Sequence, residues 1–331
     1  MSGNTDSETF NTDELVAPEW LNVEFITKVL SEHEQAVELK VTDMRFSPAS
    51  AKGDHSASIM FRAKVEYTTR KGASTKSLII KTMPEQEGHK KEMLNESPIF
   101  KTETGMYSTV LPEFERILRE AGDYDKLYVD CIYHSLKPRQ VMIFEDLVEM
   151  GYLVIRDREV SLEEVRSVYS KLAKFHVASM KVQQEHNKAT GTFEDCMLLD
   201  YQMCNISPLT VDLIYSVYMP LEPQQRWDHW EDLLKYYFSV LVGTLKKVGY
   251  KGEMPTEAGL LERFHELKNF HFFLLSTFLP LTWAGRAMGT DFFYIMQNDE
   301  KRRTASFLEG YIKDVKIFLP RWEQLGYFKD T

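Results

Sequence analysis

The sequence predicts an α+β chain of two lobes, rich in strands up to about residues 147–150 and helical beyond them. Three observations predict it. Period-two alternation of apolar residues belongs to the first part, where Ile59, Phe61, Ala63, Val65 and Tyr67 form a five-step stripe. From Ser161 onward the apolar spacing becomes three and four residues, the period of a helix face. At 331 residues the chain is long enough that two lobes are expected rather than one.

The elements follow in order. Composition argues against long disorder beyond the first fifteen or so residues, MSGNTDSETFNTDEL. Val37, Leu39 and Val41 alternate with polar residues, which predicts a half-buried first strand. A loop of small residues, SPASAKGDHSAS, surrounds Gly53 and leads into the stripe that starts at Ile59. A polar turn, RKGAST, connects it to a third strand, SLIIK. The stretch IFKTETGMYSTVL has helical period, with Phe100, Glu103, Tyr107 and Val110 or Leu111 on one face. Pro112 then either kinks this helix or opens the next piece, PEFERILREAG. Two more strands are expected in KLYVDCIYH and QVMIFEDL.

In the second part, Ser161 and Glu164 form a capping box. The helix it opens has Leu162, Val165, Val168 or Tyr169, Leu172, and Phe175 or His176 as apolar positions. From about Ser207 the chain is mostly helical, in WEDLLKYYFSVLVGTLKKV, EAGLLERFHELKNFHFFLLSTF and RTASFLEGYIKDVKIFLPRW.

A net charge of −10 argues against nucleic acid or an anionic membrane as the principal partner. The three cysteines, Cys131, Cys196 and Cys204, give neither a disulfide framework nor a tetrahedral zinc set. The greasiest stretch, FHFFLLSTFLPLTWAG, is short for a membrane span and carries His271 and Pro280, so a buried helix is expected. The polar start has no basic or apolar leader, and a cytoplasmic location is the expectation.

Four features of the first part bear on chemistry. A glycine in a loop of small residues lets backbone N–H groups approach phosphate oxygens, although Gly53 alone reads as a surface turn. Lys81, at the end of SLII, can set an ammonium against phosphates; alone, it reads as a lysine reaching off a strand end. Glu103 is more informative because it lies on the buried stripe, where a carboxylate needs a cationic partner, and Lys81 is the natural candidate. The strand in MIFEDL runs into an acidic segment whose backbone can meet an adenine edge, or it is simply a strand end. Their order carries more than any one of them. Strand, glycine loop, two strands ending in a lysine, helix with a glutamate, two strands, connector and helix is the layout of a kinase N-lobe and hinge.

Several longer stretches resemble the ecdysteroid-kinase-like, or choline-kinase-like, family of small-molecule kinases, which is related to aminoglycoside phosphotransferases. They are APEWLN, KGDHSASIMFRAKVEY, LIIKTMP, FKTETGMYSTVLPEFE, FEDLVEMGY, LAKFHVASM and LLDYQMCNISPLTVDLIY, in family order through Tyr215. The resemblance implies a protein-kinase-like two-lobed fold. Residues 1–147 would be an extension, N-lobe and hinge, and residues 148–331 a helical C-lobe. It implies ATP and Mg²⁺ as cofactors and a small alcohol as substrate, with ecdysteroid-type steroids the best-known class. Gly53 would cover the nucleotide, Lys81 would hold its phosphates, Glu103 would orient Lys81, and the backbone of Glu145 to Leu147 would meet the adenine. His176 matches a family helix position, and its place on the apolar face reads as structural rather than catalytic.

Asp200 and Asn205 stand in the D-x-x-x-x-N spacing of a catalytic loop. Asp200, however, follows the apolar run CMLL rather than His-Gly, and the family's downstream SP and DLIY follow it. By resemblance Asp200 is therefore the Mg²⁺ ligand, Asp212 a structural residue of the C-lobe, and the Asn205 spacing a coincidence. No His-Gly-Asp occurs in the chain, and only NKATGTFED separates His186 from Cys196. Nine residues cannot supply a catalytic loop and its flanking strand. The catalytic base is thus absent, between about residues 186 and 196. An alternatively spliced or mis-predicted product and a degenerate paralogue both fit this pattern. The expectation is a kinase-family enzyme impaired in this form, with a non-catalytic, pseudokinase-like binder as the alternative.

Overall fold

The computed structural model describes residues 16–49, 58–85, 91–92, 95, 97–152, 158–186, 196–197, 205–206, 208–288, 295 and 298–329. The chain divides into two compact units. The first takes in the described residues up to Pro112 and those of Tyr128–Val154; the second takes in those of Glu113–Leu127, Ile155–Asp200 and Cys204–Thr331.

Helix α1 (Val23–His33) opens the first unit, and the Asn22 side chain caps it by accepting the Phe25 N–H at 3.0 Å. Strands β1 (Lys40–Pro48), β2 (Ile59–Thr69) and β3 (Gly72–Thr82) form an antiparallel meander. Helix α2 (Ile99–Gly105) passes through a π-helical turn at Met106–Val110 and resumes as α3 (Leu111–Glu120). Pro112 therefore sits inside a continuous helix, directly after the π-helical turn, where the widened turn accommodates a residue that has no N–H to give to the helical ladder. Strands β4 (Cys131–Ser135) and β5 (Val141–Glu145) complete a sheet of order β1-β2-β3-β5-β4, with every pairing antiparallel. The first strand begins at Lys40 rather than at Val37, which is 97% exposed. Its alternation was too short to tell a strand from the turn before it.

Period two gives the sheet two different faces. One face, with Phe61, Ala63, Val65, Leu78, Ile80, Val141 and Ile143, packs with Ile26, Val29 and Leu30 of α1 into one core. The opposite parity of β2, β3 and β5 carries Met60, Arg62, Ile79, Lys81, Met142 and Phe144. There Phe100 closes with Met142 and Phe144 into a smaller apolar cluster, to which Ile79, Tyr107 and Cys131 contribute.

The second unit is helical, beginning with α4 (Leu162–His186). Its capping box is present: the Ser161 hydroxyl accepts the Glu164 N–H at 3.2 Å, and the Glu164 carboxylate accepts the Ser161 N–H at 2.8 Å. Two short strands, β6 (Cys196–Met197) and β7 (Asn205–Ile206), pair antiparallel before α5 (Leu209–Tyr218). Then come α6 (Pro223–Asp228), α7 (Trp230–Lys247), α8 (Glu257–Glu266) and α9 (Lys268–Phe273). A π-helical turn at Leu274–Phe278 leads from α9 into α10 (Leu279–Met288). The greasy stretch is thus helical but buried on one side only, with His271, Leu274, Leu275 and Leu279 inside and Phe272 and Phe273 exposed. No helix among the described residues is long and apolar enough to cross a membrane. The last predicted helix is divided at residues 306–308 into α11 (Asp299–Ala305) and α12 (Glu309–Gln324).

The larger core of this unit draws on α4, α5, α7, α8 and α12 around Tyr169, Leu213, Tyr237, Phe264 and Trp322, and Leu281, Ala284, Ile295 and Ala305 form a smaller one. His271 sits inside the larger core, with its Nε2–H donating to the Phe264 carbonyl at 2.8 Å and its Nδ1 accepting from the Tyr218 hydroxyl at 3.0 Å. Burial pushes its pKa down to about 4, and the nearby His265 adds to this against the pull of the Phe264 carbonyl. Between the ordinary histidine value near 6.5 and pH 4 the unfolded chain therefore binds a proton that the folded chain refuses, so stability falls as pH falls. The cost should reach about 3 kcal/mol by pH 4. Comparing unfolding free energies of the wild-type protein and His271→Gln across this range should give a shallower slope for the variant; equal slopes would contradict the assignment.

Candidate functional site

Two elements of the first unit bring a cation and an anion together inside the protein. Lys81, on β3 between Met60 of β2 and Met142 of β5, projects from the face opposite the α1 core. Glu103, on α2, meets it with Nζ to Oε2 at 2.6 Å. Both are nearly out of water, at 5% and 6% exposure. The Lys81 ammonium also lies 6.0 Å from the centre of the Phe100 ring. The spacing that set Phe100, Glu103 and Tyr107 on one helix face delivers this pair; Tyr107 continues the face with its ring centre 4.8 Å from that of Phe144. At a surface such a bond adds little, but inside the protein each charge depends on the other.

Beside this pair the sheet face is apolar, with Met60 and Ile79 half-buried and Met142 and Phe144 buried. Cys131 shares the cluster. Burial pushes its thiol up to about 12, and the Glu103 charge acts in the same direction, so it stays protonated at neutral pH. β5 ends at Glu145, and the chain then turns sharply. Leu147 is exposed, and its N–H has no hydrogen-bond partner among the described residues.

Sequence reasoning passed over Asp146, which is buried between Glu145 and Leu147. Its Oδ2 accepts from Arg62 Nε at 2.6 Å and from the Ser77 hydroxyl at 2.7 Å, while Oδ1 accepts the Val148 N–H at 3.1 Å. Burial alone would raise its pKa; the bonds from Arg62 and Ser77, with the Arg62 charge, outweigh that and hold the carboxyl below the usual range. A signal was available, since Arg62 stands at an outward position of a strand whose inward positions are all apolar.

In the second unit His176 bonds through Nδ1 to the Tyr237 hydroxyl at 2.7 Å and through Nε2 to Asp212 Oδ2 at 3.1 Å. All three are buried, which is the geometry of a structural brace between α4, α5 and α7. Gly53 and Asp200 lie outside the described residues. Asn205 lies in β7.

The ecdysteroid kinase-like family matches residues 52–193 and 186–250, well over half the chain. The chain belongs to the ecdysteroid kinase-like family. The matched span contains all of the sheet except β1, the helix carrying Glu103, the turn after β5 and the helices through α7. In this family's terms the five-stranded antiparallel sheet and the helical remainder form a kinase-like α+β fold. No curated protein matches the chain.

Proposed function

We propose that this chain binds ATP with Mg²⁺ in the manner of a small-molecule kinase, and that the form described here transfers phosphate slowly. The observation that carries this reading is the buried Lys81–Glu103 ion pair. A buried pair gains little over a well-packed apolar substitute, so stability alone is a poor reason for one beside the apolar side chains of Met60, Ile79, Met142 and Phe144. Lys81 would steady the phosphates, and Glu103 would hold the ammonium in one orientation. Met60, Ile79 and Phe144 offer the base an apolar surface, and the backbone of Glu145 and Leu147 offers its edge an acceptor and a donor. By resemblance, the Gly53 loop would cover the phosphates and Asp200 would hold the metal.

The parent reaction is transfer of the ATP γ-phosphate to a hydroxyl of an apolar alcohol such as an ecdysteroid. ATP supplies the phosphoryl group; the protein supplies position and charge. The missing His-Gly-Asp supports slow turnover, as does a family match that comes in two stretches meeting at residues 186–193. Without a positioned base the rate should fall by roughly 10²–10⁴. The same absence favours a second reading, a non-catalytic binder that keeps the nucleotide or a lipophilic ligand without chemistry.

Calorimetric titration with MgATP and transfer of labelled γ-phosphate to ecdysteroid and choline-like alcohols separate the two. Binding with slow transfer fits the first reading, and binding without transfer the second. Lys81→Met should weaken MgATP binding by about 10–100-fold, the worth of a charge-assisted hydrogen bond. No binding by the wild-type chain, or equal binding by the variant, would refute the nucleotide assignment.

A further inference from the structure

We propose that Asp146 is a positioning residue for base recognition, which fixes the backbone after β5 so that the Leu147 N–H is held ready as a donor. This rests on the nucleotide reading above. Asp146 is 3% exposed, and each of its carboxylate oxygens is engaged. Oδ2 ties it to two other strands, through Arg62 on β2 and Ser77 on β3, and Oδ1 ties it to the Val148 N–H two residues on. The last contact is an Asx-type turn, in which the side chain does the work of a backbone acceptor.

The turn's own backbone groups are consumed in the same way. The Asp146 carbonyl accepts the Met150 N–H at 3.2 Å, the Leu147 carbonyl the Tyr152 N–H at 2.9 Å, and the Val148 carbonyl the Gly151 N–H at 3.0 Å. Gly151 completes it at φ +89°, a conformation that suits only glycine well. An exposed ion pair, Lys64 to Glu149 at 2.7 Å, also spans from the turn to β2 and adds little to its hold. Within the turn, the N–H groups of Asp146, Leu147 and Glu149 carry no hydrogen bond among the described residues. Asp146 is buried, and the Leu147 N–H is the one that directly follows the Asp146 anchor on an exposed residue. A donor whose place is fixed before binding loses little freedom on binding, which is how a side chain that touches no ligand strengthens recognition. The carboxylate suits this task better than an amide. Its Oδ2 accepts two donors at once, whereas an amide nitrogen there would face the Arg62 N–H donor to donor.

The test compares MgATP with Mg-tripolyphosphate, which has phosphates and no base, by calorimetry on the full chain. Asp146→Asn is expected to weaken MgATP about tenfold while leaving tripolyphosphate within about twofold. Lys81→Met should weaken both ligands. Ser77→Ala, which keeps Arg62 on the carboxylate, is a milder variant for the case in which Asp146→Asn fails to fold. It should weaken MgATP about two- to fivefold with tripolyphosphate unchanged. Equal weakening of both ligands, or none in folded variants, would overturn the positioning role and leave the nucleotide reading standing. A wild-type chain that binds neither ligand would overturn both.

Discussion

Replacing Glu103 by alanine is expected to lower the stability of the first unit by about 3–5 kcal/mol, the usual cost of stripping one partner from a buried ion pair. The Lys81 ammonium would remain between Met60 and Met142, beside the Phe100 ring, with its 2.6 Å anionic partner gone and almost no access to water. A whole domain is stable by only about 5–15 kcal/mol, so the loss is a large share of the total. Urea unfolding of the variant against the wild-type chain measures it. The joint variant Lys81→Met, Glu103→Leu removes both charges and fills the space with methylenes. It should recover most of the loss while leaving MgATP binding about 10–100-fold weaker, because an apolar pair packs as well as a buried ion pair. Stability and binding would then move in opposite directions, which identifies the pair as kept for function. An alanine variant within about 1 kcal/mol of the wild-type protein would show that water reaches Lys81 and that the pair is weaker than its burial indicates.

Asp314→Ala should be still more damaging, on the second unit. Asp314 of α12 is fully buried and accepts four hydrogen bonds. Two come from Arg226, through Nε and Nη2 at 3.1 Å each. The others come from the indole N–H groups of Trp227 at 2.8 Å and Trp283 at 2.6 Å. Arg226 is itself buried, and its Nη1 donates to the Tyr218 and Leu221 carbonyls. One carboxylate therefore joins α6, α10 and α12 and neutralises a guanidinium that has no route to solvent. Its removal strands a buried cation, at about 3–5 kcal/mol, and leaves two indole donors short of acceptors at about 1–3 kcal/mol each. The sum approaches a domain's whole stability, so the expected result is a second unit that does not hold its fold at 37 °C, seen as lost near-ultraviolet dichroism. Asp314→Asn, which keeps the shape and one good acceptor, should fall between. A cooperative alanine variant with an unchanged melting temperature would disprove the brace.

Much of the fold was legible because it is periodic. The stripe at Ile59–Tyr67 became β2, the Ser161–Glu164 box opens α4, and the face shared by Phe100 and Glu103 is buried. The Lys81–Glu103 contact was legible too, since a carboxylate on a buried stripe calls for a cation. Other features were not. The division at 306–308 contains no proline or glycine, and the nearby Gly310 lies inside the helix that follows it. Asp146 looked like the polar end of a strand because its partners, Arg62 and Ser77, are 84 and 69 residues earlier.

The sequence by itself determined most element types and the family, because backbone period and motif order are local properties written along the chain. Tertiary structure alone decided which distant groups share a charge. Arg226 and Asp314 are 88 residues apart and meet only because helices carrying them pack together. Burial creates that need, since a charge removed from water must find its partner wherever packing has placed one.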